Sequence, residues 1–217
     1  VARSAKGGVG ADRHWVGLCL HPVAITMSIR TERLFMSISQ NGSGSQAPQP
    51  EPPQPESSQP ELPRVEATAA WAGTWHAGQT DKAGQPYIGH LIRVQAHLLR
   101  LFPGATVAER HAAWLHDVLE DTDITETDLG AMGYPAEVID IVRAVTKRDG
   151  DPRSYGEWID TLARTGPIGA VRVKLADLSD NSDPNRLSAL PHARAVSMAA
   201  RYNAAKQRLW SVLDADA

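Results

Sequence analysis

From Val65 onward, apolar residues recur along the chain at steps of three and four. Ile88, Leu91, Ile92, Gln95, Leu98, Leu99 and Phe102 form one such stripe, which Pro103-Gly104 closes, and they predict an amphipathic helix. Thr106-Val107-Ala108-Glu109 reads as a capping box, in which the two polar side chains satisfy free N–H groups at a helix start. The helix it opens carries Ala112, Ala113, Leu115 and Leu119 as apolar positions and is expected to continue into the acidic segment ending at Asp121. Pro135 fits a first-turn proline ahead of Val138, Ile139, Ile141, Val142 and Val145. Further helices are expected over 66–78, 154–164, 167–181 and 191–213. No run alternates with period two for long enough to suggest a strand. The expected fold is therefore an all-α domain over 66–217.

The texture before Val65 differs. Residues 40–63 are rich in Pro, Gln, Glu and Ser, and only Ala47 and Leu62 are apolar in the sense of packing a core. Such a segment buries too little surface to offset its ordering entropy, so a disordered stretch with polyproline character is expected. Earlier still, Trp15-Val16-Gly17-Leu18-Cys19-Leu20 is a short apolar run ended by His21-Pro22, with no convincing small-residue cleavage site after it. Met27 and Met36 are alternative starts. Residues 1–65 are expected to form a tail outside the fold.

Composition narrows the classes of function. The 217 residues leave room for one domain plus a tail, and 42% apolar content is enough for a packed core. With 22 Lys+Arg against 25 Asp+Glu the net charge is −3, which argues against a nucleic-acid partner, since phosphate contacts usually leave a basic excess. No stretch approaches the roughly 18 uninterrupted apolar residues of a membrane helix, so no membrane partner is expected. Cys19 is the single cysteine; no intrachain disulfide can form, which suits a reducing compartment.

Three segments carry candidate chemistry. Trp114-Leu115-His116-Asp117-Val118-Leu119-Glu120-Asp121-Thr122-Asp123 places Glu120 one turn beyond His116 and Asp117 if the helix is continuous. Acids near the negative end of a helix dipole repel it and one another, an arrangement that a bound cation relieves. In the second segment Ile168, Val171, Leu175 and Leu178 form an apolar stripe, and Lys174, Asp177 and Asn181 fall beside it. The third, Gly84-Gln85-Pro86-Tyr87-Ile88-Gly89-His90, puts His90 in the first turns of a helix. Each segment alone also suits a structural role, as a solvated acidic helix end, an internal ion pair or a core histidine. Together they offer two imidazoles and two carboxylates, a donor set for an octahedral cation that keeps water rather than for a closed thiolate zinc site.

His90, His116-Asp117 and Asp177 resemble the H…HD…D pattern of the HD superfamily of metal-dependent phosphohydrolases. More closely, His76-Ala77-Gly78-Gln79, Gly84 to His90, His116 to Thr122, and Val173-Lys174-Leu175-Ala176-Asp177 with Asn181 are similar to the hydrolase domain of the RelA/SpoT family. Val145-Thr146-Lys147 sits where that family has a similar turn, and the resemblance runs from about residue 67 to 210. With no synthetase domain after Ala217, it implies a stand-alone small alarmone hydrolase with an HD-type helical bundle. The implied reaction removes the 3′-diphosphate of (p)ppGpp, or of (p)ppApp, as pyrophosphate. By the same resemblance His90, His116, Asp117 and Asp177 hold one divalent metal, Mn²⁺ in the family, with Fe, Co or Zn as alternatives. Glu120 and Asp121 would orient and deprotonate the attacking water. Lys82, Lys147, Lys174, Asn181, Arg194 and Tyr202 would contact the nucleotide, and Arg186 is a further available cation.

The chain departs from the family at two places. Asp81 stands where the family often has a basic residue, and a guanine-stacking arginine is absent, which keeps an adenine alarmone open. Leu91 replaces a proline after the metal histidine and should simply continue the helix. His97 and His111 match nothing and read as surface or packing residues. Two other readings stand beside the leading one: an HD-type 5′-nucleotidase, and a nucleotide-binding regulatory module without turnover. The expected partner is a small nucleotide and the expected location the cytoplasm; oligomeric state is not legible.

Overall fold

The computed structural model describes residues 61–215. The expected tail over 1–65, with its Pro/Gln/Glu-rich stretch, lies outside these residues except for its last few positions. The described residues fold as ten helices: α1 (Val65–Trp75), α2 (Ile88–Leu101), α3 (Val107–Leu115), α4 (Val118–Asp121), α5 (Glu126–Ala131), α6 (Ala136–Val145), α7 (Tyr155–Thr165), α8 (Ile168–Asn181), α9 (Pro184–Leu187) and α10 (His192–Ala215). The all-α expectation holds among them, and the β structure present is an isolated antiparallel bridge between Thr80 and Pro86. No helix among the described residues is long and apolar enough to cross a membrane.

α8 is the axis of the domain and packs against α2, α3, α6, α7 and α10. Its burial follows from its sequence: Val171, Val173, Leu175, Ala176 and Leu178 are all fully or almost fully buried, as expected of a helix apolar on more than one face. The stripe read from sequence describes only one of those faces, and its first member, Ile168, is exposed. On α2, α3 and α8 cover the row His90, Leu91, Val94, Leu98, so that Ile92 and Leu99, expected to be buried, face outward. Because Asp177 and Asp180 are buried on the central helix, two carboxylates are carried into the core.

Local signals set the helix starts. The Thr106/Glu109 capping box forms as expected, and Thr125/Asp128 and Ser154/Glu157 form two more. Pro135 occupies the N-cap of α6, one position earlier than a first-turn proline. The continuous acidic helix does not form. α3 ends at Leu115, and Asp117, at φ −106° and ψ 1°, caps a new four-residue helix. The break is stabilised where His116 Nδ1 donates 3.0 Å to the carbonyl of Ala113, one of the acceptors left free at a helix end. Glu120 and Asp121 therefore lie in the first turn of α4 rather than the last turns of a long helix, and dipole repulsion does not act on them.

A buried polar cluster docks α1 on the rest. Thr68 Oγ1 lies 2.8 Å from His111 Nδ1 and 2.7 Å from the Tyr134 hydroxyl. His111 is thus a packing residue, as its lack of any motif suggested, and burial together with Arg110 lowers its pKa.

Candidate active site

The two halves of the site arrive from the turn after α3 and from α2 and α8. His90, His116 and Asp177, all buried, bring one ligand atom each within 4.8 Å of one another. His90 Nε2 lies 3.4 Å from Asp177 Oδ1 and 3.7 Å from Asp117 Oδ2. His116 Nε2 lies 2.8 Å from Asp117 Oδ2 and 3.7 Å from Asp177 Oδ1, yet makes no well-directed hydrogen bond. A carbonyl only accepts, so the contact with Ala113 fixes the proton of neutral His116 on Nδ1 and turns the Nε2 lone pair inward. His90 is oriented the same way, its Nδ1 facing Asp180 Oδ2 at 2.6 Å. The break after α3 makes this convergence possible: on an unbroken helix the adjacent His116 and Asp117 would point to different faces.

The electrostatics match this geometry. Burial works against a charged His90, but bonds to Asp117, Asp177 and Asp180 override it and push the pKa up to about 11. Burial likewise opposes the charged form of His116, and Asp117 raises its pKa. Asp177 is held far below the usual carboxylate range despite burial, chiefly by Lys174 and His90. Two imidazoles drawn toward the charged state by inward-facing carboxylates mark a place that demands positive charge. Two nitrogens and carboxylate oxygens at these separations fit one divalent cation, whose ligands at about 2.1 Å each lie within about 4 Å of one another.

Glu120 and Asp121 stand beside this cluster. Both remain open to solvent; partial desolvation, then the charge of Asp117, raises the pKa of each. Tyr87, stacked on His76 at 4.8 Å between ring centroids, donates its hydroxyl to Asp117 Oδ2. Gln79, held by His76 Nδ1 at 2.8 Å, donates 2.8 Å to the backbone carbonyl of Asp121.

A cavity of about 420 Å³ opens above the cluster, lined by His90, Asp117, Glu120, Asp121 and Asp177 at its base and by cations on its walls. Of the expected nucleotide contacts, Lys82, Lys147, Lys174, Asn181 and Tyr202 all line it. Lys82 Nζ donates 3.1 Å to the Tyr202 hydroxyl, and Asn181 donates its amide to Asp177 Oδ1. Arg194 is the exception: it is exposed in the first turn of α10 and does not line the cavity. Arg201, seven residues on and so about 10 Å further along the axis, lines it instead. Arg186, Tyr155, Trp158 and Tyr87 are also lining residues. The seven-residue spacing of Arg201 from Arg194 was a legible hint; nothing in the local pattern singles out Tyr155 or Trp158. Asp81 lines the cavity too, but its carboxylate is engaged by the protein. Its carboxylate accepts from the backbone N–H groups of Ala83 and Gln85 and pairs with Arg93 and Arg186.

Among the described residues these features define an all-helical domain with a largely buried two-histidine, two-carboxylate centre beneath a cation-walled cavity. The fold is also that of a metazoan ortholog of SpoT, described as hydrolysing ppGpp and acting in starvation responses; the TM-score is 0.56 over 70% of this chain and 95% of that one, at 22% identity. In sequence, 115 residues are 32% identical to a guanosine-3′,5′-bis(diphosphate) 3′-pyrophosphohydrolase of Vibrio cholerae, and 121 are 38% identical to a probable enzyme of that name from Mycoplasma pneumoniae. The bifunctional (p)ppGpp synthase/hydrolase SpoT of Escherichia coli is 30% identical over 115 residues. Each alignment takes in 49% of this chain and 16% of the relative, so the chain matches about a sixth of the length of these proteins. No protein-family model matches the chain. Across about half of its length this chain is similar to relatives named as alarmone hydrolases of the RelA/SpoT family, and it shares the helical fold of the metazoan SpoT ortholog.

Proposed function

We propose that this chain is a metal-dependent 3′-pyrophosphohydrolase acting on (p)ppGpp or (p)ppApp, a small nucleotide taken from the cytoplasm. The observation that carries the reading is the inward convergence of His90 Nε2, His116 Nε2, Asp177 and Asp117 at the base of a cavity walled by Lys82, Lys147, Lys174, Arg186 and Arg201. The four ligands would hold one divalent cation, Mn²⁺ on the family resemblance, which polarises a phosphoryl group and makes water more acidic. His90 and His116 present fixed lone pairs, and Asp117 and Asp177 contribute negative charge.

In the reaction, a water oxygen bonds to the phosphorus attached to the ribose 3′-oxygen, and the bond from that phosphorus to the 3′-oxygen breaks. Pyrophosphate departs and the 3′-oxygen gains a proton. Glu120, whose raised pKa makes it a better proton acceptor than an ordinary carboxylate, takes the proton from water, with Asp121 beside it as orienting partner. The cavity cations offset the phosphate charge, and Tyr202 with Lys82 offers an aromatic and polar face to the nucleoside.

The test is hydrolysis by the Mn²⁺-supplemented protein of ppGpp and ppApp offered side by side, with products resolved by chromatography. Pyrophosphate from either substrate supports the reading and settles the base. Release of orthophosphate from 5′-monophosphates instead would make it a nucleotidase, and tight nucleotide binding without product would make it a regulatory module.

A further inference from the structure

Behind His90 lies a closed set of charges of which only Arg186 has another role, as one of the cavity cations. Asp180 is wholly buried. Its Oδ2 sits 2.6 Å from His90 Nδ1 and also accepts from Arg186, and its Oδ1 accepts from Arg93 Nε at 2.6 Å. The two guanidinium groups then meet again on Asp81 Oδ2, at 3.3 Å from Arg93 and 3.0 Å from Arg186. Two carboxylates and two guanidinium groups sum to zero, with every carboxylate oxygen hydrogen-bonded.

Burying its two carboxylates has a cost: an apolar group of the same shape often stabilises a core as well or better. Its geometry points to a use elsewhere. An ionised carboxylate accepts and does not donate, so Asp180 keeps a proton on His90 Nδ1 and leaves Nε2 as the lone pair facing Asp117 and Asp177. Arg93 and Arg186 hold Asp180 from two sides, which fixes the ring plane of His90. His116 donates the equivalent hydrogen bond to a neutral carbonyl, so only His90 is backed by a charge.

We infer that Asp180 is the positioning residue of His90, fixing its tautomer and ring orientation for a divalent cation, and that Arg93, Arg186 and Asp81 hold Asp180 in that role. The inference rests on the metal site of the proposed function, and its test needs no substrate.

Mn²⁺ affinity is read from the electron paramagnetic resonance signal of free Mn²⁺ for the wild type, Asp180→Asn, Asp180→Ala and, as a destabilised control, Thr68→Val. Loss of a carboxylate behind a ligating histidine typically weakens metal binding about 10- to 100-fold. Asp180→Asn is expected at the low end of that range and Asp180→Ala at the high end, while Thr68→Val lowers the melting temperature and keeps wild-type affinity. Should the Ala or Asn variant not fold, Asp180→Glu retains the charge that the two arginines require, moves the carboxylate by one methylene, and should bind Mn²⁺ about tenfold more weakly. Wild-type affinity in whichever Asp180 variants fold would overturn the inference and leave Asp180 a structural residue. A wild-type protein that binds no Mn²⁺ would overturn the metal reading itself, a result distinct from the first.

Discussion

The Lys174 ammonium lies 2.8 Å from Asp177 Oδ2, one turn earlier on α8, while Oδ1 of the same carboxylate faces both imidazoles. The same ammonium lies over the indole of Trp158, 5.1 Å from the ring centroid. Burial would lower the lysine's pKa, but Asp177 more than offsets this and raises it, so the charge is fixed. One carboxylate thus divides its oxygens between a permanent cation and a place for a removable one.

Lys174→Met removes the permanent partner and leaves Asp177 buried beside uncompensated neighbours. Breaking one side of a buried pair typically costs about 3–5 kcal/mol. The metal-free variant should unfold at clearly lower urea than the wild type, and Mn²⁺ should restore more stability to it than to the wild type. Equal Mn²⁺ stabilisation of both proteins would show that the lysine and the metal do not share this carboxylate.

The division of labour between ligands and acids predicts a split. Asp117→Ala should abolish Mn²⁺ binding together with turnover. Glu120→Ala should bind Mn²⁺ normally and lose turnover by about 10²- to 10⁴-fold, the usual range for a general base. Equilibrium dialysis beside a pyrophosphate-release assay separates the two, and equal loss of metal in both variants would contradict the roles assigned.

Metal-free stability should depend on pH through His90. Its folded pKa of about 11 exceeds the ordinary 6.5, because three carboxylates outweigh burial. The stabilisation is therefore fully present below about pH 6.5 and is lost as pH rises toward 11. Urea unfolding in chelator should show falling stability from pH 6.5 to 9. With Mn²⁺ bound the imidazole is already deprotonated, so that fall should shrink and Mn²⁺ affinity should rise across the same range. Metal-free stability that rises over this window would refute the protonated pair.

Asp81 is a point at which sequence and structure give different expectations. Read in line, it replaces a basic residue near the base and bears on guanine against adenine. In the fold its side chain is 2% exposed and fully engaged. Asp81→Asn should therefore lower stability and leave the ratio of kcat/KM for ppGpp and ppApp unchanged. A shifted ratio, measured with both substrates in one reaction, would restore the specificity role.

The site's ligand positions were readable because they are short motifs with fixed spacing on strongly periodic helices: His90 on α2 and Asp177 on α8 lie where the pattern puts them. What periodicity could not reveal is the break after Leu115. It is held by a side chain, His116, bonding back to Ala113, and the run from Trp114 to Asp121 contains no glycine or proline to mark it. Ile92 and Leu99 were misread for a related reason: a three-four stripe is wider than the groove between α3 and α8 that covers it. Asp180 stood in plain view three residues after Asp177, yet only packing shows that a carboxylate there faces the back of His90.

The hydrogen bond from Gln79 to the Asp121 carbonyl has a consequence for how the two acids are held. α4 has four residues, too few to hold its own shape, so the placement of the two acids is borrowed from the turn that follows α1. That turn supplies no ligand and touches no expected phosphate. It nevertheless works as a tether: on the proposed reading, Gln79→Ala would leave the ligand positions in place and loosen the alignment of the two acids.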